Sequence, residues 1–313
     1  MSGLAIVHPS NLLGKELVET IEGRATQWRE IRLLSTLEEE VGSLTYLAGA
    51  AALVTRYEPE SLHGISTVYF CGPIAANRPL FKDLPPGATG VVLSPDATPE
   101  DGVAVVAGVN SGAASLGRVL VSPHPAVVLL AHLLHPLAAL RLESAVATVV
   151  QPVSMFDNPG LEELFETTRN ILTMTGQRSS PRFGTQLAFN MIPTTAHALP
   201  LSETLQTVLG ADLPVSLQVV QGAVFHSLTA SVYLRFAETP TIKAIRKAFN
   251  AHPYLQVAEN PNRLGPIDAA ANEKVLFGTL HKDRQGGFWL WAVMDNLTRG
   301  GALNALEIVE SIQ

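Results

Sequence analysis

The sequence contains a single thiol, that of Cys71, which could serve as a nucleophile. Cys71 follows a predicted strand over residues 67–70, and open α/β sheets bind their ligands at the carboxyl ends of strands. The alternative interpretation is a small apolar side chain buried at a strand end, as free cysteines commonly are. A single cysteine excludes an internal disulfide and a multi-cysteine metal site, and it fits a reducing cytosol.

Three histidines could carry acid–base or metal chemistry. His226 has an imidazole that titrates near neutral pH, so it could donate or accept a proton in a reaction. His132 and His135 are three residues apart in a predicted apolar helix and could face one metal ion. No third ligand has a suitable position, so we predict no metal site.

The loop after the first predicted strand, residues 8–14, precedes a predicted helix and could contact an anion. Ser10 and the helix N-terminus offer donors to a phosphate, although Pro9 removes one backbone N–H. Asn11 tolerates a left-handed conformation, so a turn can form there. Gly14 is expected to allow close packing at the start of the helix.

Strand and helix patterns alternate along the chain, which predicts an α/β fold with a parallel sheet in the first half. We expect strands at 4–7, 30–34, 41–46, 51–54, 67–70, 90–93, 118–121, 144–150, 214–220, 223–236 and 275–280. We expect helices at 12–22, 75–84, 125–140, 160–174, 200–209 and 241–250.

The composition narrows the class of protein. The chain has 313 residues, of which 47% are hydrophobic and 16% charged, so a globular protein with two domains is expected. The net charge is −7 without a basic block, which argues against a nucleic-acid partner. The most apolar stretch, 119–140, contains three prolines and three histidines, so we predict a buried helix and no membrane crossing. The N-terminus shows no secretory signal, and we expect a cytoplasmic protein.

Several ordered motifs resemble aspartate-semialdehyde dehydrogenase. They are Val149-Val-Gln-Pro-Val-Ser154, Gln186-Leu-Ala-Phe-Asn-Met-Ile-Pro193, Gly222-Ala-Val-Phe-His-Ser227 and the segment from Asp295 to Glu310. The resemblance implies a Rossmann-type dinucleotide-binding domain, residues 1–121 plus 297–313, and an α+β dimerisation and catalytic domain, residues 122–296. It implies NADP as cofactor, with Ser10, Asn11, Gly14 and Asn296 at cofactor-binding positions. It also implies Gln151 and His226 as catalytic residues and a homodimer, or a heterodimer with an active paralogue.

The chain departs from the family pattern at four places that the reaction needs. The position of the catalytic cysteine, which attacks an acyl phosphate before NADPH reduces the thioester, is Pro125. The substrate-binding arginine is Val219, and the lysine that helps to hold phosphate is Gln206. Of the glycines in the dinucleotide loop only Gly14 remains, which argues against tight pyrophosphate binding.

These departures favour a divergent paralogue that lacks the reductive dephosphorylation and acts as an interaction partner. A first alternative is an NADP-dependent oxidoreductase with altered chemistry, in which His226 acts on an aldehyde or acyl substrate. A second is a true semialdehyde dehydrogenase with another nucleophile, for which loss of turnover in Cys71→Ala would be the signature.

Overall fold

The computed structural model describes residues 3–23, 28–47, 49–176, 179–194, 198–210 and 213–312. The chain forms two compact units. Unit 1 comprises Met1–His124 with Gly300–Gln313, and unit 2 comprises Pro125–Arg299. Within the described ranges, no helix is both long enough and apolar enough to cross a membrane.

Unit 1 contains a seven-stranded parallel sheet and a separate hairpin of β3 and β4. The strands of unit 1 are β1 (Gly3–Val7), β2 (Glu30–Ser35), β3 (Leu44–Leu47), β4 (Ala50–Leu53), β5 (Thr55–Arg56), β6 (Ile65–Phe70), β7 (Thr89–Val92), β8 (Val103–Ala104) and β9 (Val119–Val121). The sheet order is β5-β2-β1-β6-β7-β9-β8, and all its pairs are parallel. This topology confirms the α/β fold with a Rossmann-type first domain.

Strand β1 is buried along its whole length, because apolar residues cover both faces of the sheet. Leu4 and Ile6 pack on one face with the helix α1 (Leu12–Glu22). The final helix, α7 (Asn304–Glu310), packs in the same cluster and thereby belongs to unit 1. Alternate residues of β1, Ala5 and Val7, pack on the opposite face.

Two predicted helices are shorter than expected, and a proline explains each. The helix expected at 75–84 is only one turn, α2 (Ile74–Asn77), followed by a 3-10 helix, Arg78–Asp83, that contains Pro79. The helix expected at 125–140 is α3 (Pro125–Leu134), followed by a 3-10 helix, His135–Leu140, that contains Pro136. Proline has no N–H for the i→i−4 bond and clashes with the preceding turn, so the α-helix ends there.

Unit 2 contains a seven-stranded mixed sheet in the order β11-β12-β10-β13-β16-β15-β14. Its strands are β10 (Leu142–Gln151), β11 (Met191–Pro193), β12 (Val215–Gly222), β13 (Leu228–Phe236), β14 (Leu255–Val257), β15 (Val275–Lys282) and β16 (Phe288–Met294). Its helices besides α3 are α4 (Asp157–Leu172), α5 (Ala198–Leu209) and α6 (Ile242–Ala251). The pairs β10–β12 and β14–β15 are parallel, and the others are antiparallel.

The strand predicted over 223–236 begins only at Leu228, so residues 223–227 form a loop after β12. Ser227 has a φ of 73°, which is left-handed backbone and incompatible with a strand. This correction moves His226 from a strand into a loop.

Candidate functional site

Pro125 is the first residue of α3, and its side chain is buried. A proline suits this position because the first N–H groups of a helix have no intrahelical partner. The position at which the resemblance places the catalytic thiol is thus occupied by an apolar ring without a nucleophilic atom.

Gln151 is the last residue of β10, and it lies directly beside Gln221 of β12 in the parallel register. Its amide nitrogen donates a hydrogen bond to Oε1 of Gln221 at 3.0 Å. The Gln221 amide nitrogen donates in turn to the carbonyl oxygens of Gln151, at 3.2 Å, and Gly222, at 2.9 Å. Both side chains are buried, so the pair fixes the carboxyl ends of the two strands.

His226 lies half-buried in the 223–227 loop, which two backbone hydrogen bonds hold against the segment after β10. The N–H of Val153 donates to the carbonyl of Val224 at 2.8 Å, and the N–H of Ser154 donates to that of Phe225 at 3.1 Å. The imidazole itself makes no hydrogen bond to any residue that the structure describes. Gln151 and His226 are therefore carried by two adjacent segments that are tied together.

Asn296 is buried, and its side chain fixes the same loop. Its Oδ1 accepts a hydrogen bond from the Ser227 N–H at 3.0 Å. Its amide nitrogen donates to Oγ of Ser154 at 3.1 Å. The neighbouring Asp295 accepts from the N–H groups of Leu297, at 2.8 Å, and Thr298, at 2.9 Å. These contacts lie within unit 2 and hold the loop of His226, and a role of Asn296 in cofactor binding stays a prediction.

Neither position expected to bind an anionic substrate carries a cation. Val219 lies in β12 with its side chain in the interior of unit 2. Gln206 lies on the exposed side of α5, where its amide nitrogen is 3.4 Å from the Leu213 carbonyl oxygen. A guanidinium fork and an ammonium would each hold a carboxylate or phosphate at such positions. The two observed side chains offer no such charge.

In the 8–14 loop of unit 1, Asn11 and Gly14 stabilise the turn of the loop itself. Asn11 caps α1, since its Oδ1 accepts from the Gly14 N–H at 2.6 Å. A Cβ at Gly14 would lie 2.6 Å from the Pro9 carbonyl oxygen, so only glycine fits there. Ser10 is half-buried and borders a cleft of about 180 Å³ that Lys15 and Thr45 also line.

His8, which sequence reasoning did not single out, is fully buried in the same loop. Its Nδ1 is 2.9 Å from Oδ1 of Asn77, and its Nε2 is 2.9 Å from Oγ1 of Thr36. Burial lowers the pKa of His8 below its usual value, against the opposing effect of the Asn77 hydrogen bond. The sequence feature that could have identified His8 is its position directly after a buried strand, at the start of the turn.

Cys71 is completely buried at the end of β6. Burial, followed by the negative charge of Glu40, raises the pKa of its thiol far above the usual range. These observations agree with the interpretation of Cys71 as a small side chain buried at a strand end, and not with a reactive thiol.

His132 of α3 is buried in a cluster of rings that the sequence could only partly indicate. Its ring centroid lies 5.3 Å from that of His252 and 4.9 Å from that of Tyr254, and exposed His135 lies 6.1 Å from His252. The guanidinium of Arg299 stacks on Tyr254 at 4.8 Å. Among the described residues, no three His, Cys, Asp or Glu side chains are grouped so as to hold a metal ion.

Two relatives align with almost the entire chain. The aspartate-semialdehyde dehydrogenase of Bacillus subtilis (strain 168) is 25% identical over an alignment of 340 positions, which covers 99% of this chain and 97% of the relative. A USG-1 protein homolog of Azotobacter vinelandii is 26% identical over an alignment of 328 positions, which covers 98% of this chain and 96% of the relative.

Two solved structures share the fold. A probable aspartate-semialdehyde dehydrogenase from Pseudomonas aeruginosa has a TM-score of 0.90 at 22% identity and covers 99% of this chain and 97% of its own. The aspartate-semialdehyde dehydrogenase of Candida albicans, solved with NADP, has a TM-score of 0.74 at 13% identity, with 100% and 98% covered.

The family described as "Semialdehyde dehydrogenase, dimerisation domain" matches residues 134–299, over half of the chain and almost all of unit 2. With the parallel sheet of unit 1, this match shows that the chain belongs to the semialdehyde dehydrogenase family.

Proposed function

We propose that this chain is an aspartate-semialdehyde dehydrogenase-like protein that lacks reductive dephosphorylation activity and functions through association with another chain. The observation that carries the proposal is Pro125 as the buried first residue of α3. The family reaction begins when a thiolate forms a thioester with the substrate, and a proline ring cannot form one.

No nearby hydroxyl or distant thiol replaces the missing nucleophile. Oγ of Ser122, three residues before Pro125, accepts a hydrogen bond from the Asn304 amide at 2.8 Å. The Ser154 hydroxyl is hydrogen-bonded to Asn296, and among the described residues it has no histidine or carboxylate hydrogen-bond partner. Cys71 is fully buried in unit 1, and its raised thiol pKa removes the thiolate.

The substitutions at positions 219 and 206 support the same conclusion independently. The substrate of the family reaction carries a carboxylate and a phosphate, which a cationic site must hold in place. Val219 is buried, and neither its side chain nor that of Gln206 carries a charge. A thiol restored at position 125 alone would therefore still lack its substrate anchors.

The surface for association is the outward face of the unit 2 sheet. Val146, Tyr233 and Trp289 lie in register on the adjacent strands β10, β13 and β16. Val146 is 49% exposed and Trp289 39% exposed, while the Tyr233 and Trp289 rings are 5.0 Å apart. This row, the 146–233–289 row, lies within the range matched by the dimerisation domain. We propose that it pairs with a second copy of this chain; an active paralogue is the alternative occupant.

The activity test uses purified full-length protein with aspartate semialdehyde, inorganic phosphate and NADP, followed at the absorbance of NADPH. The Bacillus subtilis relative serves as positive control. We expect no turnover above background, and any turnover that persists in repeated preparations would overturn the proposal. Turnover lost in Cys71→Ala would identify that thiol as the nucleophile.

The second candidate function is an oxidoreductase with altered chemistry, which the loop of His226 favours. The imidazole is half-exposed, and its neighbours on both sides are fixed, as a positioned general acid or base requires. A screen of small aldehydes with NADP would detect it. Only turnover that disappears in His226→Ala would support this candidate over the first.

A further inference from the structure

His8 lies where the first loop of a doubly wound sheet normally approaches a bound dinucleotide. It follows β1 directly and has a φ of 56°, a left-handed conformation that favours glycine. In dinucleotide-binding loops a glycine at this turn keeps side chains away from the pyrophosphate. Here the turn persists, but it carries a buried imidazole.

The imidazole connects the carboxyl ends of three parallel strands. Its Nε2 accepts a hydrogen bond from the backbone N–H of Thr36, just after β2, at 3.3 Å. Because that N–H can only donate, Nδ1 carries the ring proton and donates it to Oδ1 of Asn77 at 2.9 Å. The Asn77 amide nitrogen donates to the carbonyl oxygen of Cys71, just after β6, at 2.7 Å. Strands β2, β1 and β6 are neighbours in the sheet, so the network crosses the edge where this fold binds ligands.

Neighbouring groups also pack closely around the His8 imidazole. The Asn77 amide nitrogen also donates to Oγ of Ser94 at 3.0 Å, and that hydroxyl donates to the carbonyl of Gly72 at 2.6 Å. A Cβ on Gly72 would lie 3.0 Å from Cβ of His8, so the glycine leaves just enough room for the histidine.

We propose that His8 closes the nucleotide crevice of unit 1, defined as the carboxyl ends of β1, β2 and β6, so that no dinucleotide binds there. The inference rests on the proposed function, in which no hydride transfer needs the cofactor, and it names the residue that excludes it. Removal of the imidazole is expected to open the crevice.

The choice of probe follows from the turn after β2. In this fold an acidic residue after the second strand binds a ribose hydroxyl, whereas an arginine there accepts the 2′-phosphate of NADP. Glu38 and Glu39 are exposed in this turn, and both Glu38 carboxylate oxygens pair with Arg56 at 2.7 Å. The exposed Glu39 carboxylate would repel a 2′-phosphate, so the probe is NADH, with NADPH as the comparison.

The experiment is a calorimetric titration of full-length protein with NADH. The variant is His8→Gly, and His63→Ala, an exposed histidine of unit 1, is the matched control. We expect no saturable binding by the wild type or the control up to about 1 mM NADH, and binding at least about tenfold tighter by His8→Gly. We also expect NADPH to bind the variant more weakly than NADH.

A second variant, His8→Asn, covers the case in which His8→Gly does not fold, since asparagine tolerates the left-handed backbone. Saturable wild-type binding would overturn the closure, as would folded variants that bind no better than wild type. Wild-type binding without turnover would refute the closure alone, whereas wild-type turnover would refute the proposed function.

Discussion

Oδ1 of Asn296 accepts a hydrogen bond from the backbone N–H of Ser227 at 3.0 Å, although 69 residues separate them in sequence. The bond holds a residue in left-handed backbone immediately after His226. The other side of the loop is held by Val153 and Ser154. Asn296 therefore positions the histidine, and it does so from inside unit 2.

Replacement of Asn296 by alanine is expected to destabilise the protein by about 1–3 kcal/mol, because the buried Ser227 N–H loses its partner and the Ser154 hydroxyl loses one of its contacts. Urea unfolding followed by circular dichroism measures the change. Asn260→Ala, at an exposed site, should stay within about 0.5 kcal/mol of wild type. Equal effects in both variants would contradict the positioning role.

Gly14→Ala is expected to destabilise unit 1 by about 1–3 kcal/mol, because the new Cβ would lie 2.6 Å from the Pro9 carbonyl oxygen. The control is Gly23→Ala at the end of α1, where the nearest atom to an added Cβ is 3.7 Å away. Thermal unfolding of the two variants gives the comparison. An unchanged melting temperature for Gly14→Ala would show that the loop moves aside freely.

Acid should weaken the fold through the histidine cluster of unit 2. Burial, then Arg299, His252 and His135, hold the pKa of His132 well below 6.5. Burial and then His135 lower the pKa of His252 to about 4. Between pH 6.5 and about 4 these histidines are therefore protonated in the unfolded chain but largely neutral in the folded protein. The free energy of unfolding consequently falls as the pH drops from 6.5 towards 4. Each histidine contributes up to about 1.4 kcal/mol per pH unit.

His132→Phe is expected to flatten this dependence by up to one proton, since neither ring nitrogen of His132 has a hydrogen-bond partner among the described residues. Its stability at pH 7 should equal or exceed that of wild type. Unfolding curves at pH 7, 6 and 5 measure the slope, with His63→Phe as the exposed control. Parallel slopes for wild type and His132→Phe would rule out the cluster as the cause.

If the 146–233–289 row is the association surface, a charged substitution in it should lower the mass of the particle in solution. Trp289→Asp or Val146→Asp places a charge in the 146–233–289 row and should convert a dimer into the 33.4 kDa single chain. Ile267→Asp is the control, because Ile267 is 91% exposed and lies outside the sheet. Sedimentation velocity distinguishes the species. A wild type that sediments as a single chain would argue for an active paralogue as the partner.

The thiol of Cys71 should not react in the folded protein, because the side chain is fully buried and its pKa is raised. Ellman's reagent should report less than about one tenth of a thiol per chain without denaturant and one thiol in guanidinium. Cys71→Ala provides the blank. Rapid labelling of the native wild type would reopen the question of an alternative nucleophile.

The sequence by itself indicated the family, the order of the main elements and the absence of a thiol at position 125. Whether position 125 can attack a carbonyl depends on the identity of the residue alone, and proline has no nucleophilic atom at any geometry. The same holds for the charge lost at Val219 and Gln206. The alternation of strand and helix patterns likewise predicted the parallel sheet, because parallel neighbouring strands need a crossover connection between them.

The tertiary structure decided what the retained residues contact. The bonds of Asn296 to Ser154 join residues 142 positions apart, and His8 meets Asn77 across 69 positions. Such contacts depend on how strands are ordered in a sheet and on where a loop departs from it, which local patterns do not encode. For this reason the sequence predicted a strand at His226 where the structure has a loop. The contacts of His8 could likewise be identified only from the adjacent positions of β2, β1 and β6 in the sheet.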